Sequence, residues 1–145
     1  MKKLSICLFS MILLSGVFVQ KAKAQTLPTV AEVKQFLNSK NLLISYREGG
    51  AVYGTYYFMD IHYCPSGNYW LKGKSVKQTV MGNEQHNNWQ EYGTLKVVEY
   101  QGKVGVHYLN ANGQQSFTPV YRQTNGRYFI GEGVSYTIQG AAVCY

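Results

Sequence analysis

The sequence has few of the groups that enzymes use for acid–base, nucleophilic or metal chemistry. Its seven acidic residues include a single aspartate, Asp60, and it has three histidines. No Gly-x-Ser-x-Gly, His-x-His or His-Glu-x-x-His motif occurs, and no glycine pair opens a helix after a strand as a phosphate-binding loop does. These absences argue against a serine hydrolase, a zinc peptidase and a nucleotide-binding enzyme.

The remaining catalytic and metal-binding candidates are weak. Asp60 and His62 are two residues apart on a predicted strand, so their side chains point the same way. Strands can build metal sites in this manner, and His107 from elsewhere in the sheet would be the third ligand. We interpret these histidines as structural and predict no metal and no cofactor. Three glutamates are candidates to pair with Asp60 for glycoside hydrolysis: Glu84, Glu91 and Glu99. Because their spacing does not require such a pair, we interpret them as surface carboxylates.

The sequence also lacks a basic cluster. The formal net charge is +7, but four of the 14 basic residues precede residue 25, and the rest of the chain carries only +3. Those ten basic residues are scattered and do not alternate with aromatic residues. The pattern therefore excludes a basic surface that binds the phosphate backbone of a nucleic acid, and nucleic acid is not an expected partner.

The first 24 residues have the three parts of a secretory signal peptide. Lys2 and Lys3 precede an apolar run over 4–19, and Ala22-Lys23-Ala24 has small residues at the −3 and −1 positions of a cleavage site. The alternative is a membrane anchor, but a spanning helix needs about 20 apolar residues. We predict a bacterial-type exported protein that starts at Gln25, has no stable membrane insertion, and is periplasmic or secreted.

Cleavage would leave two of the three cysteines. Cys7 lies in the predicted signal peptide, whereas Cys64 and Cys144 remain in the predicted mature chain. An even cysteine count in an oxidising compartment indicates a disulfide. We therefore predict a Cys64–Cys144 bond that ties the middle of the chain to its end, with two buried thiols as the alternative.

Residues 25–41 are predicted to form a lead and one short helix. Thr29-x-x-Glu32 has the spacing of a capping box. Val30, Val33 and Leu37 form one apolar stripe over about three turns, which indicates packing against a sheet.

Residues 42–145 are predicted to be a single domain of short antiparallel strands. Tight-turn signals recur between eight runs of strand length, which favours a meander over βαβ units. The predicted fold is mainly β, a partly closed barrel or a two-sheet sandwich. In the barrel, the second strand would place Tyr57, Met59, Ile61 and Tyr63 on one face, with the helix outside. The polar stretch 82–88 is predicted to be a loop.

Aromatic residues are the unusual feature, since all 13 tyrosines and both tryptophans follow residue 24. Tyrosine and tryptophan are common in ligand pockets and interfaces, although tyrosine also favours strands. We predict a ligand-binding surface around Tyr56, Tyr69 and Trp70, with Trp89 beside the predicted 83–88 loop. Neighbouring Tyr69 and Trp70 face opposite ways, so they would not bind one ligand together.

These observations favour a non-catalytic binding module. Its ligand would be a glycan or a small amphipathic molecule, held against the Tyr/Trp-rich surface or in the mouth of the barrel. The alternative is a protein-interaction factor, such as an enzyme inhibitor, an immunity-type partner or a component of a surface assembly. A small hydrolase is the least favoured class.

Overall fold

The computed structural model describes residues 27–50, 53–123, 125–131 and 134–145. The predicted signal peptide and its cleavage site lie outside these residues. The described chain forms one helix followed by eight strands. The elements are α1 Val30–Leu37, β1 Lys40–Gly49, β2 Gly54–Tyr63, β3 Asn68–Gln78, β4 Glu84–Tyr100, β5 Lys103–Asn110, β6 Gln115–Arg122, β7 Tyr128–Ile130 and β8 Ser135–Ala141.

Helix α1 starts at the predicted capping box. The Thr29 hydroxyl accepts a hydrogen bond from the Glu32 amide at 3.2 Å, and the Glu32 carboxylate accepts one from the Thr29 amide at 2.7 Å. The helix has eight residues, so it is shorter than the predicted three turns. It ends early because Asn38 leaves the helical conformation and Ser39 has a φ of 58°. This bend lets β1 begin at Lys40.

Replacing Thr29 with alanine is expected to lower the free energy of unfolding by about 1 kcal/mol at neutral pH, because it removes the cap. The hydrogen bonds from Thr29 and the nearby Arg122 guanidinium lower the pKa of Glu32. A lowered folded-state pKa stabilises the protein above the unfolded-state pKa, near 4.3, and that contribution disappears as the pH falls through the folded value. Urea unfolding should therefore show a smaller Thr29→Ala effect in acid than at neutral pH, and Thr29→Ser should behave like the wild type. An equal loss at both pH values would contradict this account.

All eight strands belong to one antiparallel sheet, in the order β7-β6-β5-β4-β3-β2-β1-β8. Consecutive strands pair from β1 to β7, and β8 then returns to pair with the free side of β1. The sheet curls until β7 and β8 come close to each other. The prediction of a mainly β, partly closed barrel is confirmed, and the two-sheet sandwich is wrong because all the strands share one sheet.

The core lies on the inner side of this barrel. On β2, Ile61 and Tyr63 point inward and are buried, as the alternation predicts. Val33 and Leu37 of the helix belong to the same buried cluster. The predicted position of α1 outside the barrel is therefore wrong. Its apolar side packs among inward-facing residues because the barrel is not closed between β7 and β8.

A seam remains between β7 and β8, which lie at the two edges of the sheet. The Phe36 ring of α1 stacks on Tyr128 of β7 at 4.5 Å and meets Tyr136 of β8 edge-on at 5.7 Å. The Arg122 guanidinium of β6 also pairs with the Glu32 carboxylate at 2.6 Å. The helix thus bridges the two edges with side chains.

The prediction of a loop over 82–88 is wrong for most of that stretch. Strand β4 begins at Glu84, and its polar first part pairs with β3, for example Asn87 with Ser75. The turn occupies 79–83 instead and is closed by two hydrogen bonds from Thr79 to the Asn83 carbonyl. The polar side chains of this stretch correspond to its exposure to solvent. Its strand conformation comes from the backbone pairing with β3.

The predicted disulfide is present. Cys64 and Cys144 are bonded, with their Cα atoms 5.8 Å apart, and the bond joins the end of β2 to the residues after β8. Within the described part of the chain, no helix has the length and apolar character that crossing a membrane requires. The disulfide is compatible with a location outside the cytoplasm.

Candidate functional site

The inner face of the sheet encloses a cleft of about 360 Å³. Strands β1–β7 all contribute to it, whereas α1 packs against the barrel further along, beside residues 95–98. Most of the lining is apolar or aromatic. The lining residues are Ile44, Tyr46, Met59, Ile61, Tyr69, Leu71, Trp89, Glu91, Tyr108, Ser116, Thr118, Ile130 and Val134. We call this space the inner cleft.

Three aromatic rings from three strands form a row: Tyr46 and Trp89, which line the inner cleft, and Tyr57, which contacts both of them. Tyr46 and Tyr57 stack with their centroids 4.7 Å apart, and Tyr57 meets Trp89 edge-on at 6.4 Å. The intervening strand has Gly73 opposite Trp89, and a Cβ atom at residue 73 would lie 2.1 Å from the indole. Glycine at this position therefore lets the Trp89 ring lie flat against the sheet. We call these three side chains the aromatic row.

Glu91 contributes the only carboxylate of the inner cleft among the described residues. Its carboxylate accepts a hydrogen bond from the Tyr69 hydroxyl at 2.5 Å, and the Asn110 amide lies 3.5 Å from its second oxygen. Burial, and then the Glu91 carboxylate, raise the pKa of Tyr69. The Tyr69 hydroxyl therefore stays protonated and acts as a donor towards Glu91.

A second pair of tyrosines, Tyr63 and Tyr108, lies next to Tyr69 in the interior. The hydroxyls of Tyr63 and Tyr108 are 2.8 Å apart, and the Tyr108 ring meets Tyr69 edge-on at 5.1 Å. Burial raises the pKa of Tyr63 to about 12 and raises the pKa of Tyr108 well above its usual value. Both hydroxyls are therefore neutral hydrogen-bonding groups in an otherwise apolar interior.

Trp70 lies on the outside of the barrel, where the end of the chain partly covers it. Its indole stacks on His62 at 3.8 Å and donates a hydrogen bond to the Val143 carbonyl at 2.6 Å. The Val143 amide in turn donates to Nδ1 of His62. Trp70 therefore has a structural task, since it helps to hold the chain end near the disulfide.

An exposed groove continues beyond Trp70 across the outer face. Trp70, Tyr92, Leu109 and Tyr145 line this groove, and we call them the outer aromatic patch. Tyr92 is 67% exposed and Tyr145 fully exposed. This surface differs from the inner cleft because it lies on the outer face and its tyrosines are exposed.

The structure divides the four predicted binding residues between the two faces. Tyr69 and Trp89 line the inner cleft, whereas Trp70 lies outside. Tyr56 is also outside, where the Arg47 guanidinium lies 5.0 Å from its ring centroid. Tyr69 and Trp70 face opposite ways, as the alternation predicts. Because residues 84–88 form a strand, the predicted loop that would close over a ligand is not there.

The candidate metal site of Asp60, His62 and His107 is not assembled. His62 lies 3.7 Å from Asp60, but His107 hydrogen-bonds Gln115 and His86 faces the carboxylate of Glu84, so each histidine has a different neighbourhood. Among the described residues, no group of three or more histidine, cysteine, aspartate or glutamate side chains is arranged to hold a metal ion.

Sequence reasoning missed Tyr46 and Glu91 as cleft residues. The signal for Glu91 was available, because Trp89, Glu91, Leu95 and Val97 alternate with exposed residues along β4. Extending that alternation places the carboxylate on the inner face, so its interpretation as a surface group is wrong.

Comparison with known proteins assigns no family to the chain. No family model matches it, and neither does any curated protein or solved structure. The inner cleft and the outer aromatic patch are therefore the features from which a function can be inferred.

Proposed function

We propose that this protein is an exported, non-catalytic binding module that holds a small amphipathic ligand in the inner cleft. The observation that carries the proposal is the cleft itself, a recess of about 360 Å³ between an aromatic row and a single carboxylate. Export is supported by the sequence pattern of residues 1–24 and by the disulfide.

The size of the inner cleft suits a small molecule. It lies at the lower end of the range of ligand pockets, roughly 300–1,000 Å³. At about 30 Å³ for each water-sized group, it holds on the order of a dozen non-hydrogen atoms. A single ring with a short chain fits this space, whereas a long glycan would need the outer surface.

The composition of the lining favours a ligand with both apolar and polar parts. Ile44, Met59 and Leu71 provide aliphatic walls, and Trp89 provides a broad aromatic face. Ligand pockets commonly combine such walls with a few polar groups that fix orientation. Here Glu91 is the obvious orienting group.

Trp89→Ala is expected to weaken binding of phenylbutanol, a neutral probe of the right size, about tenfold or more. The reason is that truncating a central aromatic residue of a binding site removes a large contact area. Isothermal titration calorimetry would measure the affinity, and circular dichroism would confirm the β structure of the variant. Trp89→Phe retains a ring and should lose less.

The matched control is Tyr92→Ser, which alters the outer aromatic patch and should leave phenylbutanol binding unchanged. If phenylbutanol binds Trp89→Ala as tightly as it binds the wild type, the inner cleft is not its binding site.

The outer aromatic patch supports a second candidate function, that of a protein-interaction or glycan-binding surface. The observation in its favour is the exposure of Tyr92 and Tyr145 beside Trp70, since aromatic residues are enriched in the cores of interfaces. A ligand or partner whose binding is lost in Tyr92→Ser but kept in Trp89→Ala would assign the function to this patch.

A further inference from the structure

We infer that the inner cleft selects ligands that carry a protonated amine beside an apolar body, and that it rejects anionic amphiphiles of the same size. This inference rests on the proposed function and adds the chemical class of the ligand. It depends on the position of Glu91, the partners of its carboxylate, and the aromatic row beside it.

The Glu91 carboxylate has acceptor capacity that the protein does not use. A carboxylate offers about four lone-pair sites. The Tyr69 hydroxyl donates to one oxygen, and the only other donor to the carboxylate among the described residues is the Asn110 amide, at the long distance of 3.5 Å. Glu91 is half-buried and lines the inner cleft, so its remaining sites are available to a ligand donor.

Within the described part of the chain, no basic side chain forms an ion pair with this carboxylate. The ion pairs that the described residues form with one another join His62 to Asp60, His86 to Glu84 and Arg122 to Glu32. None of these pairs involves Glu91. The tyrosine hydroxyls nearest to it remain neutral because burial raises the pKa of Tyr69 and of Tyr108. A ligand cation would therefore supply the missing opposite charge.

The aromatic row favours the same charge. Tyrosine and tryptophan rings attract cations through the negative potential of their faces. Trp89 and Glu91 lie two residues apart on the same face of β4, about 7 Å along the strand. An amine at Glu91 thus leaves the apolar part of a small ligand against the Trp89 ring, whereas a ligand carboxylate would be repelled by Glu91.

Three probes of nearly equal size test the inference: phenylbutylamine, phenylbutanol and phenylbutyrate. Calorimetric titration of the wild type should give the tightest binding for the amine, about tenfold tighter than for the alcohol, because its hydrogen bond to Glu91 is charge-assisted. Phenylbutyrate should bind more weakly than the alcohol.

Glu91→Gln is the decisive variant, because glutamine has the same shape and can still accept the hydrogen bond from Tyr69. It should lose the preference for the amine and bind amine and alcohol within about threefold of each other, without weakening the alcohol. Glu84→Gln, on the exposed part of β4, is the matched control and should keep the wild-type preference.

The outcomes separate this inference from the proposed function. Binding of the alcohol without preference for the amine, or an amine preference that persists in Glu91→Gln, overturns the inference and leaves the inner cleft as a binding site. Failure of all three probes to bind overturns both. Tightest binding of phenylbutyrate also overturns the inference.

Discussion

Removing the Cys64–Cys144 disulfide is expected to lower the free energy of unfolding by about 4 kcal/mol. The two cysteines are 80 residues apart in sequence, so the bond closes a long loop. In the chain-entropy model, such a loop restricts the unfolded chain far more than the folded one, which already holds the two residues together. This loss is a large part of the 5–15 kcal/mol that typically stabilises a domain.

The measurement is urea unfolding of the wild type and of the Cys64→Ala/Cys144→Ala variant, with and without reductant. Reductant should shift the wild type to the midpoint of the double variant and leave the double variant unchanged. The oxidised mature chain should also be two hydrogens lighter than the reduced one by mass spectrometry. Free thiols at both positions in the native protein, or a wild-type midpoint that reductant does not move, would be incompatible with the bond.

Phe36→Ala is expected to lower the free energy of unfolding by about 2 to 3 kcal/mol. Truncating a buried phenylalanine costs about 3–5 kcal/mol, and Phe36 is only half-buried. Its ring is nevertheless in contact with both Tyr128 and Tyr136, on the two strands that flank the seam. The variant should therefore weaken the link between the edges of the sheet as well as the docking of α1.

Phe36→Leu is the matched control because it keeps most of the apolar volume, and it should lose less than about 1.5 kcal/mol. Urea unfolding gives the total effect, and amide hydrogen exchange locates it. Faster exchange in β7 and β8 than in β2 and β3 is expected for the alanine variant. Equal stability of the alanine and leucine variants would show that the ring does not bridge the seam.

The sequence was sufficient to predict the fold class, the cap of the helix and the disulfide. Each of these depends on a local pattern or a count. Thr29 and Glu32 satisfy each other over one helical turn, and the short turns between strands favour a meander. Cys64 and Cys144 were the only pair that the predicted mature chain offered.

The position of the helix and the strand at 84–88 were not predictable in the same way. Residues 84–88 are polar, and their strand conformation comes from pairing with β3, which is a property of the folded sheet. The location of α1 depends on how far the sheet curls, because Val33 and Leu37 would present the same apolar stripe to either side of a sheet. Local pattern does not determine either feature.

The candidate site was predicted only in part for a related reason. Tyr56, Tyr69 and Trp70 are close in sequence, but alternation on a strand separates Tyr69 from the other two. The inner cleft instead combines Trp89 with residues from distant strands, such as Tyr46. Such a combination follows from the register of the sheet, which the sequence alone leaves open.

The pairing of β1 with β8 has a consequence for how the protein folds. Leu42 pairs with Ile138, so this ladder joins the beginning of the domain to its end. Topologies with such distant pairings fold slowly, because the entropy of closing the chain must be lost before the contacts form. Until β8 arrives, β1 is an edge strand with one free side, which can associate with other chains. The half-time of refolding should therefore be governed by the joining of β1 and β8, beside the point where Cys144 meets Cys64.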